Sequence, residues 1–263
     1  MKFNAPIKFM NEAINSGALD ARVLNMEVLD YFGMYVLRKA IDSKTIERYY
    51  REYKSYQNSD HFNRTNFHLT EVGVEDGNPL REILKNAQLL KSIEKFFLGN
   101  VGLYNFRIVK KDAEDFSPVF LHQDVGYHKG GFERYSLFIP LTRCWVENGG
   151  LKLYPGTHKF GYLGDVGEIR DFLPAAYPRL TPELFPGDIL FMHSALWHSS
   201  GENLSGEERV YLDVHIQDAN EPSSSQTLTG ASDGQWILNL SHDEIFSNSR
   251  SQKLKALYQK IQE

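Results

Sequence analysis

Apolar positions along this chain follow two spacings, and the change between them falls near residue 100. In the first part, Leu80, Ile83, Leu84, Leu90, Ile93 and Phe97 recur at intervals of three and four, a spacing that predicts helix. Thr45 to Tyr56 (TIERYYREYKSY) predicts another helix, while 59–78, with its Asn, Asp and Gly, predicts loop with a short strand. From Val101 onward, short runs of β-branched and aromatic residues alternate with Gly, Pro and Asn, the pattern of an antiparallel sandwich or barrel. Strands are expected near 102–110, 117–124, 134–141, 150–154, 187–193 and 208–216. The stretch from Lys159 to Arg179 has no clear period and reads as a long loop over one mouth of the barrel. Ser241 and Glu244 have the spacing of a capping box that opens a last helix, with Leu254, Leu257 and Tyr258 as its apolar stripe.

No internal repeat and no low-complexity linker interrupts this plan, so a single domain over 1–263 is the simplest organisation. It comprises a mostly helical flank (1–100), a β core (101–217) and a C-terminal extension with its helix (218–263). Hydrophobic residues at 41% and charged residues at 24% are ordinary for a folded globular chain. The formal net charge of −5 provides no positive field to gather a polyanion, so nucleic acid is not an expected partner. Cys144 is the only cysteine, which rules out an intrachain disulfide and a thiolate metal cluster. With no signal-like N-terminus and no apolar run of membrane-spanning length, the expected location is the cytoplasm, without membrane association.

Candidate chemistry begins with the run PVFLHQD. In a strand, residues two apart share a face, so His122 and Asp124 can reach one ion. Two histidines and one carboxylate on one face of an octahedral iron leave three positions open for a co-substrate and dioxygen. An H-x-D triplet is a weak signal alone, but about seventy-five residues later LFPGDILFMHSALWHSSGENLSGEERVYLDVHI supplies His193, His198 and His215 as candidates for the third ligand.

The sequence here resembles the phytanoyl-CoA hydroxylase (PhyH-like) family of iron(II)- and 2-oxoglutarate-dependent dioxygenases. The likeness runs from about Tyr104 to about His215, through LHQD, LFIPLTRCWVENGGLKLYPGTHK and PGDILFMHSALWHSSGENLSGEER in the family's order. It implies a mainly β fold, a double-stranded β-helix (a jelly roll, cupin-like) wrapped by the N-terminal helices. It also implies His198 as the distal metal ligand, because His193 lies one strand too early. Arg209, eleven positions after His198, is then the residue that pairs with the distal carboxylate of 2-oxoglutarate, a task suited to a planar guanidinium. The implied cofactors are Fe(II), 2-oxoglutarate as co-substrate and O2. The implied reaction is hydroxylation of a small-molecule metabolite, with release of succinate and CO2. Desaturation, cyclisation and epimerisation stay open on the same chemistry, whereas Asp124 argues against halogenation. Two other classes compete: a cupin-like metal enzyme that does not use 2-oxoglutarate, and a non-catalytic small-molecule-binding protein on the same fold.

Candidate contacts to substrate or 2-oxoglutarate are Asn105, Arg107, His128 and His158. Strand alternation puts Asn105 and Arg107 on the cavity face and Tyr104 and Phe106 on the core face. A guanidinium inside the cavity needs an anionic partner, which points to a substrate bearing carboxylate, phosphonate or phosphate. The alternative for Arg107 is an exposed sheet edge or a pair with Asp112 or Glu114. His61, His68, His215 and His242 are expected to be bland, and Asn148, Gly149, Gly150, Pro155 and Gly156 to shape turns. Fourteen tyrosines and seventeen phenylalanines mostly fill the core and do not name the substrate.

Overall fold

The computed structural model describes residues 4–59, 62, 64–66, 69–72, 78–113, 115–128, 130–164 and 169–232. The expected C-terminal helix, with Ser241, Glu244, Leu254, Leu257 and Tyr258, lies outside the described residues, as do His61, His68, His242 and Glu114.

Among the described residues the strands are β1 (Asp20–Ala21), β2 (Met34–Leu37), β3 (Arg64–Asn66), β4 (Leu69–Glu71), β5 (Val101–Lys111) and β6 (Val119–His122). They continue with β7 (Tyr135–Pro140), β8 (Leu151–Leu153), β9 (Ile189–His193), β10 (His198–Ser200), β11 (Arg209–Asp218) and β12 (Gln226–Thr229). A large sheet runs in the order β1-β2-β9-β7-β11-β5-β4-β3 with β12 paired to β5, and a small one in the order β6-β10-β8. The two sheets form the jelly roll that the strand series and the resemblance imply. The six expected strands all form, each within a few residues of its expected bounds.

Alternation along the large sheet separates two cores. In β9, Ile189 and Phe191 face the helical side, while Leu190 and Met192 join the interior shared with the small sheet. In β7, Leu137 and Ile139 face the helices and Phe138 the interior. The helical side is covered by α3 (Ser43–Gln57) and α4 (Ala87–Ile93), which follow α1 (Asn4–Asn15) and α2 (Met26–Phe32). Helix α3 starts where Asp42 accepts the Thr45 amide at 3.0 Å, and it buries Ile46, Tyr49 and Tyr53 at helical spacing.

The first hundred residues are less helical than their spacing predicts. The apolar series from Leu80 to Phe97 is cut at Asn86, whose extended backbone ends a 3-10 turn (Pro79–Lys85) and whose side chain caps α4. Residues Met34–Leu37, buried throughout, form a strand that pairs antiparallel with β9. Arg38 fastens this edge: it donates to Asp20 at 2.7 Å and to Asp188 at 2.6 Å, and Asp188 also accepts the amides of Lys39 and Phe185. Gly187, in the turn before β9, has φ +97° and stands so close to the Ile41 carbonyl that a Cβ would lie 2.5 Å from it.

Gln123, which links the two candidate ligands of LHQD, is fully buried. Its Nε2 donates to the carbonyls of Gly161 (2.8 Å) and Ala195 (2.7 Å), and its Oε1 accepts the Leu163 amide at 2.9 Å. With the bond from the Val125 amide to the Ser194 carbonyl (3.0 Å), it ties the end of β6 to the 161–163 loop and to the segment that enters β10. Gln123→Leu leaves the buried Ala195 carbonyl unsatisfied and unties the part-buried Gly161 carbonyl and Leu163 amide, so it is expected to lower stability by about 2 kcal/mol. Gln123→Glu is expected to cost at least as much, because it sets a carboxylate against the same two carbonyls. Urea denaturation of the metal-free protein measures both, and a loss under about 1 kcal/mol for both variants would refute the tie.

Candidate metal and co-substrate site

Strand β10 lies between β6 and β8, with His198 directly opposite His122 in the ladder. That register puts the two imidazoles 4.1 Å apart, centroid to centroid. Asp124 opens a 3-10 turn (Asp124–Tyr127) just past the end of β6. One ligand atom from each of His122, Asp124 and His198 lies within 4.8 Å of the others, and all three residues are buried. The Nδ1 of His122 is 2.7 Å from the Phe120 carbonyl, and that of His198 is 3.0 Å from the Leu196 carbonyl. A carbonyl only accepts, so each Nδ1 is the donor in its bond and each Nε2 is the atom turned toward the cluster. Each Nε2 stands 3.7 Å from Asp124 Oδ1. Ser136 donates to the other carboxylate oxygen at 3.1 Å, which fixes the plane of the group.

Burial alone would raise the Asp124 carboxyl, but His198 and His122 beside it outweigh burial and hold it well below the usual carboxylate range. Burial, followed by the charge of His122, lowers His198 to about 4. At neutral pH the cluster is therefore an ionised carboxylate facing a neutral His198, the protonation state that a divalent metal requires. The donor set, the inward-turned Nε2 atoms and the second hydrogen bond to each ligand fit a 2-His-1-carboxylate iron centre.

A cavity of about 60 Å³ is shared by these residues and Arg209, with Val109, Phe138, Leu151 and Arg107 also in its lining. Arg209, at 1% exposure, donates to the Gly149 carbonyl and lies over the Tyr211 ring, 4.9 Å from its centroid. Its Nε has no partner, and among the described residues no carboxylate is within ion-pair distance. Gly149 thus serves the site through its carbonyl as well as shaping a turn.

The other sequence-derived candidates separate. Arg107 faces the interior as alternation predicts, but its charge is met inside the chain. Its Nε donates to Asp213 at 2.9 Å and its Nη2 to the same oxygen. Neither Asp112, which pairs with Lys110, nor the open sheet edge is its partner. The inference from Arg107 to an anionic substrate therefore loses its basis. Asn105 shares that face and donates to Glu71 at 3.3 Å. His128 is partly buried, packed 4.8 Å from the Tyr104 ring and 5.0 Å from His215. His158 does not line the cavity of the triad; with His193, Glu133 and Gly161 it lines a separate one. His193 accepts the Ala195 amide at 3.0 Å and is turned toward Glu133, away from the metal cluster.

Sequence reasoning missed three interior residues. His215 is fully buried, and its Nε2 accepts from Arg107 at 2.7 Å and lies 3.2 Å from Ser136 Oγ. Asp213, also fully buried, anchors Arg107. Tyr104 was expected on the core face, but a bulge opposite His215 and Ile216 makes it the extra residue of β5. Its ring consequently turns inward, under the Arg134 guanidinium at 3.9 Å.

Comparison with known proteins agrees with this geometry. A family model described as phytanoyl-CoA dioxygenase (PhyH) matches residues 30–211. The dioxygenase andF of Emericella variicolor is 28% identical over 208 residues, 70% of this chain and 70% of that one. Among solved structures, the epimerase SnoN in complex with Fe3+, alpha ketoglutarate and nogalamycin RO aligns with a TM-score of 0.63 at 19% identity. That alignment covers 74% of this chain and 82% of SnoN. EctD from S. alaskensis, with 2-oxoglutarate and 5-hydroxyectoine, gives a TM-score of 0.65 at 16% identity over 75% of this chain and 77% of that one. The family match takes in well over half of the sequence and every residue from the first metal-ligand candidate to Arg209, and so the chain belongs to the PhyH family of iron- and 2-oxoglutarate-dependent dioxygenases.

Proposed function

We propose that this enzyme hydroxylates a small organic molecule, with His122, Asp124 and His198 as its iron ligands and Arg209 as the residue that receives the distal carboxylate of 2-oxoglutarate. The observation that carries the reading is the layout of one cavity. Its lining includes both a metal-competent cluster and a buried guanidinium without a carboxylate partner among the described residues. A cupin-like enzyme that does not use 2-oxoglutarate, or a binding protein, has no evident use for that uncompensated cation, whose burial is unfavourable unless an anion joins it.

When bound, iron(II) and 2-oxoglutarate supply the activation of dioxygen, with succinate and CO2 as by-products. The chain supplies the geometry. The Phe120 and Leu196 carbonyls hold the imidazoles with Nε2 forward, and Ser136 holds Asp124. Val109, Phe138 and Leu151 give the cavity an apolar lining that suits the methylenes of a dicarboxylate and excludes water. Arg107, Asp213, His215 and Ser136 form a hydrogen-bonded wall beside Asp124 against which a substrate is oriented. With Arg107 already paired, the substrate need not carry negative charge. EctD and SnoN are relatives in fold whose structures hold small organic molecules, which supports a substrate of that class.

The protein is expected to bind one iron(II) per chain. His122→Ala, Asp124→Ala and His198→Ala are each expected to lose most of it, since the three side chains complete one face of the metal. Metal analysis after anaerobic loading tests this: a His198→Ala variant that keeps its iron while His193→Ala loses it would reassign the third ligand. Arg209→Ala is expected to keep iron but to bind 2-oxoglutarate more weakly by roughly 2 kcal/mol or more, the loss of a charge-assisted pair. Anaerobic titration of the metal-to-ligand charge-transfer band measures this, and equal affinity in variant and parent would exclude Arg209. Product mass in the presence of succinate release then separates hydroxylation, which adds one oxygen atom, from epimerisation, which leaves the mass unchanged.

A further inference from the structure

Lys111 ends β5 directly opposite Arg209, the first residue of β11, so the two side chains leave the ladder on the same inner face. Both are closed to solvent, at 0% and 1% exposure. Their hydrogen-bond partners are neutral dipoles. The Lys111 ammonium donates to the Ser117 carbonyl, and Arg209 donates to the Gly149 carbonyl. Among the described residues neither takes part in an ion pair. Gly149 brings them to one point, since a Cβ there would lie 2.8 Å from Lys111 Cδ on the residue whose carbonyl holds Arg209. Two desolvated cations on one face, one of them in the cavity lining and the other its cross-strand neighbour, are unfavourable together, and an anion between or beside them relieves both. Four residues back along the same face of β5 the contrast is plain, because Arg107 has Asp213.

We propose that Lys111 is the second cation of the subsite for the distal carboxylate, so that anion binding at Arg209 and the positive charge on Lys111 stabilise one another. This rests on the assignment of that subsite to 2-oxoglutarate. Lys111 acts through the field it adds to Arg209 and through its hold on Ser117, two residues before β6, and is a positioning residue.

The charged groups that act on Lys111 are Arg209 from β11, Asp115 from the β5–β6 connection and Glu202 from the β10–β11 connection. Burial, then Arg209, lowers the ammonium to about 8, against the opposing pull of Asp115 and Glu202. An anion on Arg209 offsets the charge that depresses Lys111, so its proton is held more tightly in the complex. Well below pH 8 Lys111 is charged in both states, and binding has its full strength. Above pH 8 the free protein has lost a proton that the complex retains, so affinity falls as pH rises. The carboxylates of 2-oxoglutarate are fully ionised throughout this range and contribute no slope.

The test is anaerobic titration of iron(II)-loaded protein with 2-oxoglutarate between pH 7 and pH 9, followed by charge-transfer absorption. In the parent, Kd is expected to rise about fivefold or more across the range. Lys111→Arg, whose charge is permanent there, is expected to bind at pH 9 as it does at pH 7. Lys111→Met is expected to bind about tenfold more weakly than the parent at pH 7, without the slope. A slope that persists in Lys111→Arg, or a Lys111→Met variant that binds like the parent at pH 7, overturns the proposal. Should Lys111→Met fail to fold, the parent and the arginine variant decide alone: loss of the slope supports the proposal and its retention overturns it. Tight binding in the parent that does not vary with pH rejects the role of Lys111 alone, whereas no binding at any pH rejects the subsite assignment itself.

Discussion

The pairing of β10 with β6 is the constraint on which the site depends. It sets His198 across from His122, although the two are far apart in sequence, and makes the distance between two candidate ligands a property of the ladder. A ladder fixes this separation better than loops can, because each strand is held by backbone bonds on its length. β10 has only three residues, so its position is reinforced from outside. Trp197, fully buried next to His198, packs edge-on against Phe160 and Phe172, with ring centroids at 5.9 Å and 5.3 Å. Gln123 then joins the neighbouring segments from the β6 side. Apolar anchoring and a satisfied polar tie work on the same short stretch of backbone.

The inner face of the large sheet is unusually polar for a jelly-roll core, and its charges are treated unequally. Next to the metal cluster, Arg107, Asp213, His215 and Ser136 form a network in which the cation has a carboxylate of its own. Burial opposes the Asp213 charge, but Arg107 prevails and keeps that carboxyl below its usual range. Removing one partner from such a pair strands the other, at a cost of about 3–5 kcal/mol. At the end of the β5–β11 ladder Arg209 and Lys111 have no such carboxylate in an ion pair with them among the described residues. The chain is therefore neutralised beside the candidate metal ligands, and left positive where the proposed function puts a co-substrate of fixed charge.

The sequence made the sheet legible where a short apolar run stands between turn residues, as in Tyr135–Pro140 and in Ile189–His193 after its Pro-Gly-Asp turn. The LHQD motif alone left the third ligand open among three histidines, and it was the resemblance of the ordered blocks to the PhyH family that made His198 and Arg209 legible. Three kinds of feature stayed hidden. Strand β2 is an apolar run of four residues beside α2, and periodicity does not separate so short a run from helix. The roles of Asp213 and His215 depend on which residues of β5 they face, and register is a property of two strands at once. Gln123 carries no pattern at all: a fully buried glutamine acquires its function from carbonyls that only the folded chain brings to it.

The bulge in β5 has a further consequence. Leu103 and Asn105 face successive residues of β11, Ile216 and His215, so the ladder on either side is in step and Tyr104 is supernumerary to it. A strand ordinarily allots its side chains to two faces in strict rotation, and any change in the sequence of one face is constrained by the other. Here one aromatic ring has been admitted to the interior, against His128, His215 and Arg134, without displacing a neighbour from its proper side. The position is therefore independent of the register, so the ring it carries shapes the interior while the framework that holds the candidate metal ligands is left untouched.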